Sequence, residues 1–420
     1  MWLSTFFARL RSVLGRYDGS GAGLVRLFLG WNFTRAILHN GWWLLASLYM
    51  VVDAGLSASQ LLLIAAAQGI ASFIFEVPAG VLSDTVSRKW AIVVSHALMG
   101  LAMIGTGLFA SFIPLLMCQM LWGIAWTFSS GSDVAWITDE LNDPSQMNSV
   151  LTRQARWQML GAGVGMAILG GLGALVGRPI IIIGAGIAML VLGVFVALTF
   201  PERNFTAVRT QRWRASFGIL RRGAQVAMRD KTILLLVAIT VLVNGAADSF
   251  GRIYPIRLVD TGLPVGDNGT LWFAAVSIGG LITGVFALRA IERRIHSEAG
   301  ARGAMIIAGV TGALSLAIFA LAPNLAIAVA GALVVIGVTG PIARTVTTIW
   351  VNRRTPGDIR ATMHSFLAQA EYIGEIGAAG LLAATAGISG TNGAYILTAV
   401  FFALSAVIAV AAGRDRPTAP

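Results

Sequence analysis

Glu76-Val-Pro-Ala-Gly80-Val-Leu-Ser-Asp84-Thr-Val-Ser-Arg88-Lys89 joins two long apolar runs with almost no chain left over for the turn. The first run ends at Gly80-Val81-Leu82-Ser83-Asp84, and the second starts after Arg88-Lys89. A helix that leaves a bilayer and re-enters it at once needs such a turn, with its cations on the cytoplasmic side. Gly80 is expected to let two helices approach closely. Asp84 and Arg88 place opposite charges within reach of each other at the membrane face.

Composition agrees independently. Of 420 residues, 56% are hydrophobic and 12% are charged, against about 25% charged in a soluble domain. A soluble chain of this length could bury a large core, but it would still need a charged skin, and this one has too little charge to make one. The chain reads as an integral, all-α membrane protein. Runs of about 20 apolar residues suffice to span a bilayer, and twelve are predicted: 27–52, 58–83, 89–110, 112–138, 148–175, 179–200, 232–257, 268–290, 302–322, 325–350, 361–388 and 391–412. Connections after odd-numbered spans hold only Arg178 and Arg257, whereas most of the 30 Lys and Arg lie in the termini and the other connections. The positive-inside rule therefore places both termini in the cytoplasm. The net charge of +11 is this bias, which removes nucleic acid as a partner and leaves the lipid bilayer.

Smaller features fill in the organisation. Residues 2–16 have amphipathic helical spacing and carry Arg9, Arg11 and Arg16, so 1–22 reads as a helix lying in the inner interface. Residues 201–231 carry eight basic and two acidic residues, with Trp213, Phe217, Leu220 and Ala224 at helical spacing. This is a cytoplasmic linker between a six-span bundle at 23–200 and another at 232–413, with a tail at 414–420. Gly284 to Arg289 and Arg293-Arg294 faintly echo Gly80 to Arg88, as duplicated halves would. The single cysteine, Cys118, permits no internal disulfide and no metal cluster.

Residues 80–89 resemble the G-x-L-x-D-x-x-x-R-K signature of the major facilitator superfamily of secondary transporters, with Ser87 where that signature usually has a second glycine. Residues 127–141, Thr-Phe-Ser-Ser-Gly-Ser-Asp-Val-Ala-Trp-Ile-Thr-Asp-Glu-Leu, are similar to a segment of its bacterial drug-efflux members. So are 352–375, from Asn352-Arg353-Arg354 through Arg360-Ala361-Thr362 to Gly374-Glu375. The resemblance implies two six-helix bundles related by a pseudo-two-fold axis, with spans 1, 4, 7 and 10 lining a central cavity and 3, 6, 9 and 12 facing lipid. It also implies an inner latch of Gly80, Asp84, Arg88, Lys89, Asp139 and the start of span 11 near Arg360. Many drug antiporters of the superfamily carry Gly-Pro in span 5. Here that span has glycines without proline, and they are expected to pack a helix of the other half.

Ionisable residues inside spans are costly in hydrocarbon and should face a cavity or a partner. Arg35, His39, Glu76, Asp133, Asp248, Arg252, Arg344, Glu371 and Glu375 are such residues, and all fall on spans the resemblance assigns to the cavity or its flank. At 1.5 Å per residue, Glu76 lies roughly 12 Å above Asp84 and Asp133 roughly 10 Å above the end of span 4. With Arg35 they could form one cluster, either a permanent ion-pair network or a proton-coupling site in which one of two acids shares a cation. His39 is a packing residue or a titrating one. Asp248 and Arg252 pair along one face, as a bridge or an outer gate. Glu371 and Glu375 repel at the same spacing, so one is protonated or paired, with Arg344 the available cation. Trp122 and Trp126 are the candidate cavity aromatics.

Function reads as secondary transport by alternating access, without cofactor, metal or catalysis, in a monomer of the bacterial inner membrane. Proton-coupled export of a lipophilic or cationic drug-like or secondary-metabolite compound stands first. Import or facilitated diffusion of a nutrient or metabolite is the alternative, and a membrane sensor or enzyme is the remote one.

Overall fold

The computed structural model describes residues 21–207, 218, 225, 228, 230–355 and 360–412. Most of the interfacial segment, the middle of the linker and the C-terminal tail lie outside the described residues. Every regular element among the described residues is helical. The series opens with α1 (Gly21–Val52), α2 (Ala58–Thr85) and α3 (Arg88–Leu108), followed by α4 (Phe112–Ser129), α5 (Ser132–Leu141), α6 (Pro144–Val176) and α7 (Arg178–Thr199). After the linker come α8 (Lys231–Asp260), α9 (Asp267–Glu292), α10 (Glu298–Ala320), α11 (Leu325–Val334), α12 (Gly340–Arg354) and α13 (Arg360–Ala412).

Two spans are broken for identifiable reasons. The span read at 112–138 is divided into α4 and α5 at Gly131, whose φ of 76° is left-handed and costs a glycine little. The span read at 325–350 passes from α11 through a π-helical turn, Val335–Thr339, into α12. Pro341 follows that turn, and a proline ring clashes with the carbonyl four residues earlier in an α-helix, so one residue is looped out there instead.

Among the described residues, ten helices or helix pairs are long and apolar enough to cross a membrane, where twelve spans are predicted. The predicted first span forms α1, but Arg35, His39 and Asn40 interrupt its apolar run. The predicted last two lie within the 53 residues of α13, broken at Gly390 with φ 72°.

The chain divides into two compact units. One takes Met1–Ala46, Phe75–Leu108 and Leu121–Thr210; the other takes Ser47–Ile74, Phe109–Met120 and Gln211–Pro420. In the first unit Phe28, Trp31, Trp136 and Phe200 make an aromatic core, Trp136 stacking on Phe200 at 4.2 Å. The α6 glycines bring that helix against α1 within this unit. A Cβ on Gly161 would lie 2.7 Å from the Phe33 carbonyl oxygen, and one on Gly165 would overlap Ile37. The expectation that these glycines pack the other half is therefore corrected, because glycine marks where an approach is allowed but not which helix makes it. In the second unit α8 meets α13 at Gly245 and Gly374, and the Tyr395 hydroxyl donates to the Ile253 carbonyl at 2.7 Å.

Candidate functional site

Asn32, Arg35, Ala36, His39 and Asn40 lie on one face of α1, at the three- and four-residue spacing that stacks side chains. They line a cavity of about 440 Å3 within the first unit, closed by Trp126, Ser129 and Ser130 from the end of span 4's first half, Gly131 and Asp133 beyond its break, and Gln158 on α6. The break at Gly131 is what brings the end of α4 and the start of α5 to the same wall.

Arg35 and Asp133 are each 8% exposed. Arg35 Nη1 lies 3.4 Å from Asp133 Oδ2, and Nη2 donates to Ser129 Oγ at 2.8 Å. The guanidinium carbon sits 5.5 Å from the Trp31 ring centroid and 5.3 Å from that of Trp126, within the range of a cation–π attraction. Trp31 is held in turn by His96: its Nε1 donates to His96 Nε2 at 3.2 Å, and His96 Nδ1 bonds the Ile92 carbonyl at 2.8 Å. An indole N–H only donates, so His96 Nδ1 carries the proton and Nε2 accepts.

Amides furnish the rest of the wall. Asn32 Oδ1 accepts from Gln154 Nε2 at 3.2 Å and from Gln158 Nε2 at 3.0 Å, while Asn32 Nδ2 donates to the Phe28 carbonyl. Asn40 Nδ2 donates to the Ala36 carbonyl at 2.9 Å. His39 stacks on Trp122 at 5.2 Å and tilts against Trp126 at 5.6 Å. Its Nδ1 is buried without a hydrogen-bond partner among the described residues. Trp122 lies behind Trp126, stacked at 5.6 Å, with Trp42 and Trp43 against its other side. Of the two predicted cavity aromatics, Trp126 lines the cavity and Trp122 supports it.

Of the expected three-member cluster, Arg35 and Asp133 come together, with the Ser129 hydroxyl beside them. Glu76 is half-buried on α2, outside the cavity lining. Asn32, Ser129 and Gln158 were missed by charge-based reading. Asn32 stood three residues before Arg35 on the same helical face, which is the one signal that would have found it.

The remaining candidates fall into two further places. In the second unit Arg252 Nε lies 3.7 Å from Asp248 Oδ2 and Nη2 donates to Gln68 Oε1 at 3.1 Å, so the predicted pair forms with an added amide. Arg344 and Glu371 line a small cavity of about 90 Å3 with Thr240 and Asn244. Glu375 stands within electrostatic reach of Asp248, Arg252, Glu371 and Arg344.

The third place, in the first unit, is the turn between α2 and α3. Arg88 bonds Asp139 and the Ala135 carbonyl, lies 3.6 Å from Asp84 and packs over Phe205. A Cβ on Gly80 would meet no described atom within 4 Å. Ser87, the departure from the family pattern, has a use: its Oγ donates to Glu202 Oε2 at 2.5 Å and caps the Trp90 N–H at 2.9 Å. The Lys89 N–H donates to Glu202 Oε1 at 3.0 Å. The side chain of Arg360 lies outside the described residues.

A sequence profile described as Major Facilitator Superfamily matches residues 32–374. No curated protein sequence matches this chain. Among solved structures, the nucleoside transporter NupG is similar at TM-score 0.74 and 14% identity, covering 94% of this chain and 100% of that one. A bacterial homolog of the human lysosomal transporter Spinster, inward-facing and unoccupied, is similar at TM-score 0.70 and 15% identity, covering 94% and 97%. A POT family transporter in complex with 5-aminolevulinic acid is similar at TM-score 0.73 and 12% identity, covering 94% and 96%. Identities this low carry the fold alone.

Proposed function

This chain belongs to the major facilitator superfamily, and we propose that its transported solute sits in the cavity around Arg35 and Asp133. It is a secondary transporter of that superfamily's type and not an enzyme. The solute site is the proposal, and one observation carries it: a cavity of about 440 Å3 within a membrane-spanning unit, where the hydrogen-bonding groups of Asn32, Arg35, Asn40, Ser130, Asp133 and Gln158 share the wall with the apolar surfaces of Trp126, His39 and Ala36.

The lining argues for a small polar solute over a lipophilic one. A lipophilic compound entering here would strip water from Asn40, Ser130, Gln158 and the ion pair without replacing its hydrogen bonds, and each buried polar group so left costs about 1–3 kcal/mol. A polar solute satisfies them. This reading favours the nutrient or metabolite alternative over a drug-like cation. Asp133, in hydrogen-bond and charge contact with Arg35, is the proposed proton carrier. Transport would proceed by rocking of the bundles at 23–200 and 232–413, with both termini in the cytoplasm.

The test is transport by the purified protein in liposomes with an internal pH dye. The panel holds nucleosides, amino acids, small carboxylates and lipophilic cations. A polar solute is expected to move with protons; Asp133→Asn is expected to abolish the proton signal, and Arg35→Gln to reduce solute flux at least about tenfold, the loss of roughly one hydrogen-bonded charge contact. Proton movement driven by lipophilic cations alone would instead establish drug antiport and sink the polar reading.

A further inference from the structure

Inside this cavity Asp133 has two competitors for its place, a proton and any charge a solute brings, and the geometry separates them. Arg35 is fixed from several sides, by Ser129 at 2.8 Å and by the rings of Trp31 and Trp126. Asp133 holds it through a single contact, Oδ2 to Nη1 at 3.4 Å, while Oδ1 accepts the Val134 N–H at 2.8 Å. A cationic solute seeking Asp133 must displace a guanidinium that is packed in place. An anionic solute seeking Arg35 has only to take over the position of one carboxylate oxygen.

We propose that the cavity takes a small organic anion, a carboxylate on a planar or polar frame, which replaces Asp133 at Arg35 when Asp133 carries a proton. Proton and solute then bind together and travel in the same direction. This rests on the reading of the cavity as the solute site.

The sign follows from counting charge. With Asp133 ionised the pair is neutral, and an added anion would leave a buried net negative charge, which is costly. With Asp133 protonated, the same anion restores neutrality beside Arg35. The charged and titratable groups on the elements around Asp133 are Arg26, Arg35, His39 and Tyr49 on α1, Glu76 and Asp84 on α2, Arg88, Lys89 and His96 on α3, Asp139 and Glu140 on α5, and Arg153 and Arg156 on α6. Arg88 is engaged by Asp84 and Asp139, and Arg35 is the one whose field acts on Asp133 among the described residues. Trp126 and His39 supply flat surfaces beside the anion position.

Benzoate, benzamide and benzamidine share ring and size and differ in charge, so they separate the classes. Each is titrated against the tryptophan fluorescence of the full-length protein in lipid nanodiscs, above the pH at which benzoate itself protonates. Saturable benzoate binding is expected, strengthening as pH falls toward about tenfold per pH unit, the slope of one proton taken up with one anion. Arg35→Gln is expected to abolish it. Asp133→Asn is expected to keep benzoate binding and remove its pH dependence. If Arg35→Gln does not fold, Arg35→Lys serves: it is expected to weaken benzoate at least several-fold while keeping the pH slope.

Preference for benzamidine or benzamide, benzoate binding that weakens as pH falls, or no saturable benzoate binding at millimolar concentration each overturns the proposal. The underlying reading fails in a different way. Binding of any of the three that is unchanged by both Arg35→Gln and Asn32→Ala places the solute outside this cavity.

Discussion

At Gly165 the difference between a hydrogen and a methyl group decides how closely α6 can lie against α1. A Cβ there would overlap the Ile37 carbonyl, and a Cβ on Gly41 would lie 2.6 Å from the Gly165 carbonyl oxygen. Backbone cannot rotate out of the way as a flexible side chain can, so the helices must separate. Overpacking of this kind costs about 1–3 kcal/mol. Gly165→Ala is accordingly expected to lower the melting temperature in detergent, with Gly171→Ala, whose Cβ would meet no described atom within 4 Å, as the unaffected control. The same separation moves Arg35 and Asn32 away from Gln158, so Gly165→Ala should also weaken solute binding. An unchanged melting temperature would mean that the two helices are not held at this distance.

Among the helix ends, one cap can be titrated. Asp143 caps α6: its carboxylate accepts from the Ser145 N–H at 3.0 Å, the Ser145 hydroxyl at 2.6 Å and Gln146 Nε2 at 2.7 Å. Those hydrogen bonds hold its carboxyl below the usual carboxylate range. A lowered value means that the cap contributes fully above the unfolded carboxyl's pKa and is lost as pH falls through the depressed one. Asp143→Ala is thus expected to speed hydrogen exchange in the first turn of α6 at neutral pH, with wild type and variant converging in acid. Asp230, Ser297 and Asn324 cap α8, α10 and α11 in the same way, and such residues ahead of an apolar run are readable signals. Arg35 and Asp133 were readable too, since a charge within an apolar run demands a partner. Asn32, Ser129 and Gln158 were not, because amides and hydroxyls are tolerated in spans once they bond a carbonyl four residues back, as Asn40 does with Ala36. Glu202 escaped notice because it lies past the end of α7, and only the fold returns it to Ser87 and the N–H of Lys89.

For the whole molecule, the number of crossings depends on α1 and α13. As one straight rod the 53 residues of α13 would extend about 80 Å at 1.5 Å per residue, against roughly 30 Å of hydrocarbon. Gly390, in a left-handed conformation at φ 72°, is where such a rod must turn if it is to supply two spans. α1 falls short of the other helices in apolarity because it carries Arg35, His39 and Asn40, which face the cavity and so need not meet lipid. Twelve crossings with both termini inside therefore make a definite pattern of accessibility. On a Cys118→Ala background, single cysteines at Ser57, Ser111 and Ser389 are expected to react with a membrane-impermeant maleimide in intact cells. Cysteines at Ser149 and His296, and an epitope at the N-terminus, should be reached only in inverted vesicles. Ser389→Cys reacting from the inner side would show that α13 does not turn at the outer face. Ser57→Cys and the N-terminal epitope exposed on the same side would show that α1 does not cross. Either outcome breaks the alternation on which the cytoplasmic placement of Arg88 and the linker rests, whereas the full alternating pattern establishes twelve spans and their orientation together.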